Sequence, residues 1–167
     1  MSTKAIKSIY KGLYKVKKSP NHMFDINPTK NPYEHDLIII GPNDTIFEQG
    51  IFYGKILYPN NFPFSPPKVY IFDSNKYNKG LFHPNIYNNG LCCISILHEG
   101  KDDTGYESSE LRWSPAQTIE SIILSIISIL DSPNIDSPAN VDAAKMYNNN
   151  INEYKNIIKS IVSKSQL

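Results

Sequence analysis

Cysteine is scarce in this 167-residue chain: there are two, Cys92 and Cys93, and they are neighbours. Adjacent cysteines cannot staple distant segments, so a disulfide scaffold is excluded, a reducing compartment is favoured and a reactive thiol is worth considering. A dominant charge is missing as well. Lys and Arg total 17 against 16 Asp and Glu, a net of +1, so no chain-wide field favours nucleic acid or an anionic membrane, and any electrostatic role is local. The most apolar stretch, Ile119 to Leu130, is interrupted by Glu120, Ser121, Ser125 and Ser128, and it falls short of the ~20 residues that a membrane span needs. The opening MSTKAIKSIYKGLY has no apolar run of the signal-peptide kind, and neither end carries a lipidation motif. Internal repeats and interdomain linkers are lacking too. These absences lead to the expectation of a cytoplasmic chain with no direct membrane insertion and no nucleic-acid partner. One domain over residues 1–167 is long enough to bury a core without metals or disulfides.

What is present reads as an α+β fold. From Thr3 to Lys18, Ile6, Ile9, Leu13 and Val16 recur at spacings of three and four among lysines, the stripe of an amphipathic helix, which Ser19-Pro20-Asn21 ends. Four short runs rich in β-branched and aromatic residues follow, His22 to Ile26, Tyr33 to Ile40, Ile51 to Tyr58 and Lys68 to Phe72, separated by Asn, Pro and Gly clusters. They predict a four-stranded antiparallel meander. Irregular chain then runs from Asp73 to Trp113, with a short extended piece expected around Cys93 to Leu97. Loops that long in a compact domain are usually functional. Ser114-Pro115-Ala116-Gln117 has the form of a capping box and predicts the start of a buried core helix reaching Leu130. Val141 to Tyr147 and Ile151 to Ser163 read as two amphipathic helices, the second opened by Asn150 and Glu153.

The reactive groups gather in the long loop: His83-Pro84-Asn85, Cys92-Cys93 and His98. A cysteine alone is as readily an inert filler as a nucleophile, and the residues by themselves leave both open. A thiol hydrolase needs a base from elsewhere in the chain. None is evident, since His83 and Asn85 lie just before Cys93 on the same loop.

The order Gly41-Pro42-Asn43-Asp44-Thr45-Ile46-Phe47-Glu48-Gln49-Gly50, Tyr58-Pro59, Phe62-Pro63, Pro66-Pro67-Lys68, His83-Pro84-Asn85, Cys93 and Trp113-Ser114-Pro115 resembles the ubiquitin-conjugating enzymes over nearly the whole chain. Each piece is weak alone; the ordered set is specific. The resemblance selects Cys93, eight residues after Asn85, as the cysteine that takes ubiquitin from the activating enzyme as a thioester and yields it to a lysine amine. It makes Asn85 the residue that serves the tetrahedral oxyanion, directly or by shaping the loop. His83 reads as a hydrogen-bonding support of the loop rather than a base. Where the family often has an acid, Ser137 stands beside Asp136, which weakens a simple general-base assignment.

The segment from His98 to Arg112 is an insertion beside the thiol. With Cys93-Ile94-Ser95-Ile96-Leu97-His98, Asp102-Asp103, Gly105-Tyr106-Glu107, Arg112-Trp113 and the run from Ser137 to Lys145, it resembles the G-type conjugating enzymes, whose best-known members serve degradation of proteins extracted from the endoplasmic reticulum. That implies an acidic active-site loop (98–112; His98, Asp102, Asp103, with Glu107 and Glu110), chains of the proteasomal type, and recruitment to the endoplasmic reticulum membrane by a partner. The same resemblance implies a RING-type ligase on Phe64, Pro115 and Ala116, and the activating enzyme on Lys4, Lys7 and Lys11. It implies protein substrates, no bound cofactor and no metal, the ATP being consumed by the activating enzyme upstream. Phe64 as a core residue, and the lysines as a solvated face, are the plain alternatives. The segment 73–80, longer than the family's usual connection, is expected to be an exposed excursion. A scaffold that has lost the chemistry would lack Cys93, and a carrier of another modifier such as SUMO would differ in its partner surfaces.

Overall fold

The computed structural model describes residues 3–74, 76–103, 105 and 108–166. In order these give α1 (Thr3–Lys18), β1 (Phe24–Pro28), β2 (Glu34–Ile40), β3 (Ile51–Leu57), β4 (Lys68–Phe72), α2 (Ile119–Asp131), α3 (Val141–Asn149) and α4 (Ile151–Ser165), with short 3-10 turns at Ser95–Leu97 and Ser109–Leu111. The four strands form one antiparallel sheet in sequence order.

The sheet is a meander because β2 and β3 alternate buried with less buried residues along their length, β1 and β4 do so over part of theirs, and each strand is joined to the next by chain too short for a crossover. Leu37 and Ile39 of β2, Phe52 and Ile56 of β3, and Val69 and Ile71 of β4 are all buried. The register Phe24↔Ile39, Leu37↔Gly54 and Gly54↔Ile71 puts these inward residues side by side. They join Ala5, Ile9, Leu13 and Val16 of α1, six Ile and Leu of α2, and Tyr154 and Ile158 of α4 in one core. At about 1.5–3 kcal/mol for each large apolar side chain taken from water, α2 contributes more to this core than any other helix. Gly12 lets α1 approach it: a Cβ there would lie 2.8 Å from Ile119 Cδ1.

Two expectations are corrected. The core helix does not start at Ser114. Pro115 and Ala116 form a turn in which the Gln117 N–H donates to Ser114 O at 3.0 Å. The helix begins at Ile119 behind Thr118, whose Oγ1 accepts from the Ser121 N–H while Ser121 Oγ accepts from the Thr118 N–H. A capping box is present, one turn later than expected. Thr118 commits to it because Trp113, buried under Phe62 and donating its indole N–H to Pro63 O at 3.0 Å, holds the 114–117 turn away from the helix axis. The segment after Cys93 is not extended either: Ser95–Leu97 closes a 3-10 turn, with the His98 N–H donating to Ser95 O at 2.9 Å. Otherwise α1, the four strands, α3 and α4 fall within a few residues of their expected places.

The candidate active site around Cys93

Cys93 follows a tight excursion of the chain. The Tyr87 N–H donates to Leu91 O and the Gly90 N–H donates back to Tyr87 O, while Ile86 and Cys92 pair across the turn. Gly90 is required there, since its φ of 93° is one that side-chain-bearing residues rarely adopt, and a Cβ would lie 2.8 Å from the Phe72 ring. The Cys93 N–H is fixed by Asn85 O at 2.9 Å.

The two thiols part company. Cys92 is buried, its amide donating to Val69 O, and burial pushes its thiol pKa strongly up, with the neighbouring charge of Cys93 adding to the effect. Such a thiol stays protonated and inert. Cys93 is half-exposed. Its Sγ lies 3.4 Å from His98 Nε2, and the exposed Tyr87 phenol hydrogen-bonds to it, the phenol pKa being raised first by the charge of Cys93 and then by desolvation. The 3-10 turn brings His98 there; five residues of strand would carry it about 16 Å away. A Cys–His pair therefore exists that the sequence reading, looking for a base at a distance, did not find. Tyr87 was missed too, although its place next to His83-Pro84-Asn85 was the available signal.

Asn85 is 2% exposed and faces the chain after α2. Its Nδ2 donates to Asn134 O at 2.7 Å and its Oδ1 accepts from the Asn134 N–H at 2.9 Å. This pair of hydrogen bonds to the backbone of one residue fastens the loop 132–138 to the active-site loop, and the Ala139 and Asn140 N–H groups, both donating to Pro84 O, fasten it again. Asp136 and Ser137 ride on that loop, both exposed, the Asp136 N–H donating to Asn134 Oδ1. His83 is buried, with Nε2 against Ile129 O at 2.9 Å and Leu130 O at 3.2 Å and Nδ1 accepting from the Asn85 N–H at 3.0 Å. Burial holds its pKa down to about 4, against a smaller opposing effect of the two carbonyls. A neutral imidazole with both nitrogens engaged joins the end of α2 to the loop, and it is not positioned to move a proton at Cys93.

The insertion is closed at its base. The Trp113 N–H donates to His98 O at 2.9 Å and Arg112 Nη2 donates to Glu99 O at 2.7 Å. Asp102 is half-buried, Asp103 and Glu110 are exposed, and the Gly105 N–H donates to Asp102 O at 3.2 Å. Tyr106 and Glu107 lie outside the described residues. Phe64 is 74% exposed and so outside the core. Pro115 and Ala116, exposed on the turn before α2, line a groove of about 310 Å³ with Lys11 of α1, Phe62 and Pro63. Lys4 and Lys7 are exposed on the same helix without lining that groove. Among the described residues no group of three or more His, Cys, Asp or Glu is placed to hold a metal, and no helix is long and apolar enough to cross a membrane.

Residues 8–162 match the family model of the ubiquitin-conjugating enzyme. The chain is 47% identical over 138 residues to ubiquitin-conjugating enzyme E2 13 of Arabidopsis thaliana, covering 82% of this chain and 80% of that protein. It is 47% identical over 137 residues to human ubiquitin-conjugating enzyme E2 G2, covering 81% and 79%. Against ubiquitin-conjugating enzyme E2 15 of Schizosaccharomyces pombe it is 40% identical over 158 residues, covering 93% and 91%. An antiparallel four-stranded sheet with flanking helices, a half-exposed thiol within its long loop and a family match over nearly the whole sequence agree: the chain belongs to the ubiquitin-conjugating enzyme family, a family of transferases.

Proposed function

We propose that this transferase carries ubiquitin as a thioester on Cys93 and passes it to substrate lysines, working as a single catalytic domain over residues 1–167. Membership of the family brings ubiquitin, an activating enzyme and a ligase as partners; the residues that meet them are our assignment. The observation that carries the reading is the contrast between the two thiols. One is sealed and held protonated, while the other is half-exposed and flanked by an imidazole and a phenol.

In loading, Cys93 Sγ attacks the carbonyl of the ubiquitin thioester on the activating enzyme. A new C–S bond forms, the old one breaks, and the activating enzyme's cysteine leaves as thiolate and is reprotonated. His98 Nε2, at 3.4 Å, is placed to take the Cys93 proton as the sulfur attacks. In discharge, a lysine amine attacks the thioester carbonyl, the amide forms, and Cys93 leaves as thiolate and is reprotonated. Asn85 serves this step by fixing the 132–138 loop, with Asp136 and Ser137, against the active site; its amide is committed to Asn134. No cofactor enters either step, and ATP acts upstream on the activating enzyme.

The resemblance to the G-type enzymes supports reading 98–112 as an acidic loop in which Asp102 and Asp103 draw an incoming ammonium towards the thiol. It supports proteasomal-type chains, a RING-type ligase on Phe64, Pro115 and Ala116, and recruitment to the endoplasmic reticulum membrane by a partner. Lys4, Lys7 and Lys11 are read as the activating enzyme's contact, Lys11 sharing the groove with the ligase residues.

The test is a loading assay with activating enzyme, ubiquitin and ATP. A reductant-sensitive adduct that survives Cys92→Ser and vanishes with Cys93→Ser is expected. An adduct lost with Cys92→Ser alone would move the site, and an active ubiquitin-charged activating enzyme that transfers nothing to the wild type would overturn the ubiquitin assignment in favour of another modifier.

A further inference from the structure

A second groove, of about 600 Å³, lies between the 73–80 excursion and α4. Its floor is apolar, made by the half-buried Phe82, Ile157 and Ile161, and its rim carries the exposed lysines Lys76, Lys79 and Lys164. The one acid along it is Asp73. Ion pairs formed among the described residues are Lys17 with Asp25 and Lys55 with Glu34, so the rim ammoniums meet no carboxylate among the described residues.

Both walls are fastened before any ligand arrives. Tyr77 packs edge-on against Tyr53 at 6.4 Å and Phe72 at 5.3 Å, with Lys55 Nζ 5.2 Å from its ring. The Asp73 N–H donates to Lys79 O at 3.1 Å, which closes the excursion on itself. At the other wall, Ser165 Oγ accepts from the Ile51 N–H and Gln166 Nε2 donates to Gln49 O, pinning the end of α4 to the sheet. A preformed apolar floor with a cationic rim fits an extended or helical peptide that brings carboxylates and bulky apolar side chains together. A second copy of this chain would set like charges against each other at the rim, and a bare anion would leave the floor uncovered.

We propose that this groove docks an acidic segment of a partner protein, seating apolar side chains on Phe82, Ile157 and Ile161 while its carboxylates meet Lys76, Lys79 and Lys164. The groove shares no lining residue with the one formed by α1, Phe62 and Pro115. Its occupant therefore leaves that face open, as a tether holding the enzyme near its work requires. Phe82 also precedes His83, so the occupant sits close to the base of the active-site loop.

The experiment titrates the full-length, isotope-labelled chain with a peptide of about twelve residues in which glutamates surround a Leu-Ala-Ala-Phe core, following amide resonances. Saturable shifts at Phe82, Ile157 and Ile161 are expected, and Lys79→Glu combined with Lys164→Glu weakens binding at least about tenfold while still loading ubiquitin. Five results would each overturn the proposal: shifts on the α1 lysines instead; equal binding by the peptide with its Leu and Phe changed to Ser; equal binding by inorganic phosphate; the same shifts on concentrating the chain alone; or none at about millimolar peptide.

Discussion

Asn85 joins two segments 49 residues apart through a single side chain. Asn85→Ala removes both of its hydrogen bonds to the Asn134 backbone. Since Asn134 is exposed and water replaces them in part, a loss of about 1–3 kcal/mol in urea unfolding is expected. On the proposed reading, in which discharge depends on the 132–138 loop, lysine discharge should fall more than loading does; single-turnover discharge to free lysine, measured where the variant is folded, reads this. The buried histidines set an acid limit on stability. His83 and His35, the latter with its Nδ1 3.1 Å from Tyr58 OH, are both held near pKa 4 by burial against an ordinary value of 6.5. The unfolded chain therefore binds more protons than the folded one below pH 6.5. Their contribution is complete above that value and is lost as pH falls towards 4, by about 2 kcal/mol per histidine at pH 5. Urea midpoints at pH 7 and pH 5 check the slope, and a flat profile would mean that these rings are not held neutral.

Helix ends and turns decide what happens between residues. The Thr118–Ser121 box starts α2, so Thr118→Ala should cost about 1 kcal/mol, whereas Ser114→Ala, one turn earlier, should cost well under half of that; paired thermal melts separate the two. The excursion at 73–80 was expected to be exposed, and its Lys76, Asn78 and Lys79 are. Tyr77, however, folds back on Tyr53 and Phe72 and is half-buried at a φ of 54°. Tyr77→Ala should raise hydrogen exchange at the described amides of 73–79 with thioester formation on Cys93 unchanged, which would separate the anchoring of this element from catalysis.

Across the molecule, charge is balanced in sum and divided in space. Helix α1 holds six lysines and no acid. Lys15, Lys17 and Lys18 complement the carbonyl end of its dipole, whereas Lys4 and Lys7 oppose the amide end and gain nothing locally. The proposed contact with the activating enzyme would give them a role outside the helix. Changing Lys4, Lys7 and Lys11 together to Glu should slow transfer from the activating enzyme at least about tenfold, and the wild-type rate should fall as salt rises from about 0.05 to 0.3 M. A rate indifferent to both would leave these lysines as a solvated face.

Periodicity placed the elements because the burial rule is local: a stripe at every third or fourth residue makes α1, and alternation makes β2 and β3, whatever else the chain does. The order of short motifs was enough to identify the family, and its choice of Cys93 is what the loading assay tests. The start of α2 and the turn after Cys93 were not legible, since both depend on packing between distant residues: Trp113 under Phe62, and a 3-10 turn at Ser95–Leu97 that lies against α2. For the same reason the sequence placed His98 in the acidic loop and gave Asn85 either the oxyanion or the shaping of the loop, without their partners. Only the folded chain puts the imidazole of one at 3.4 Å from the Cys93 sulfur and spends the amide of the other on a peptide 49 residues away, because side-chain distances across a loop are fixed by the elements that hold its ends, not by spacing along it.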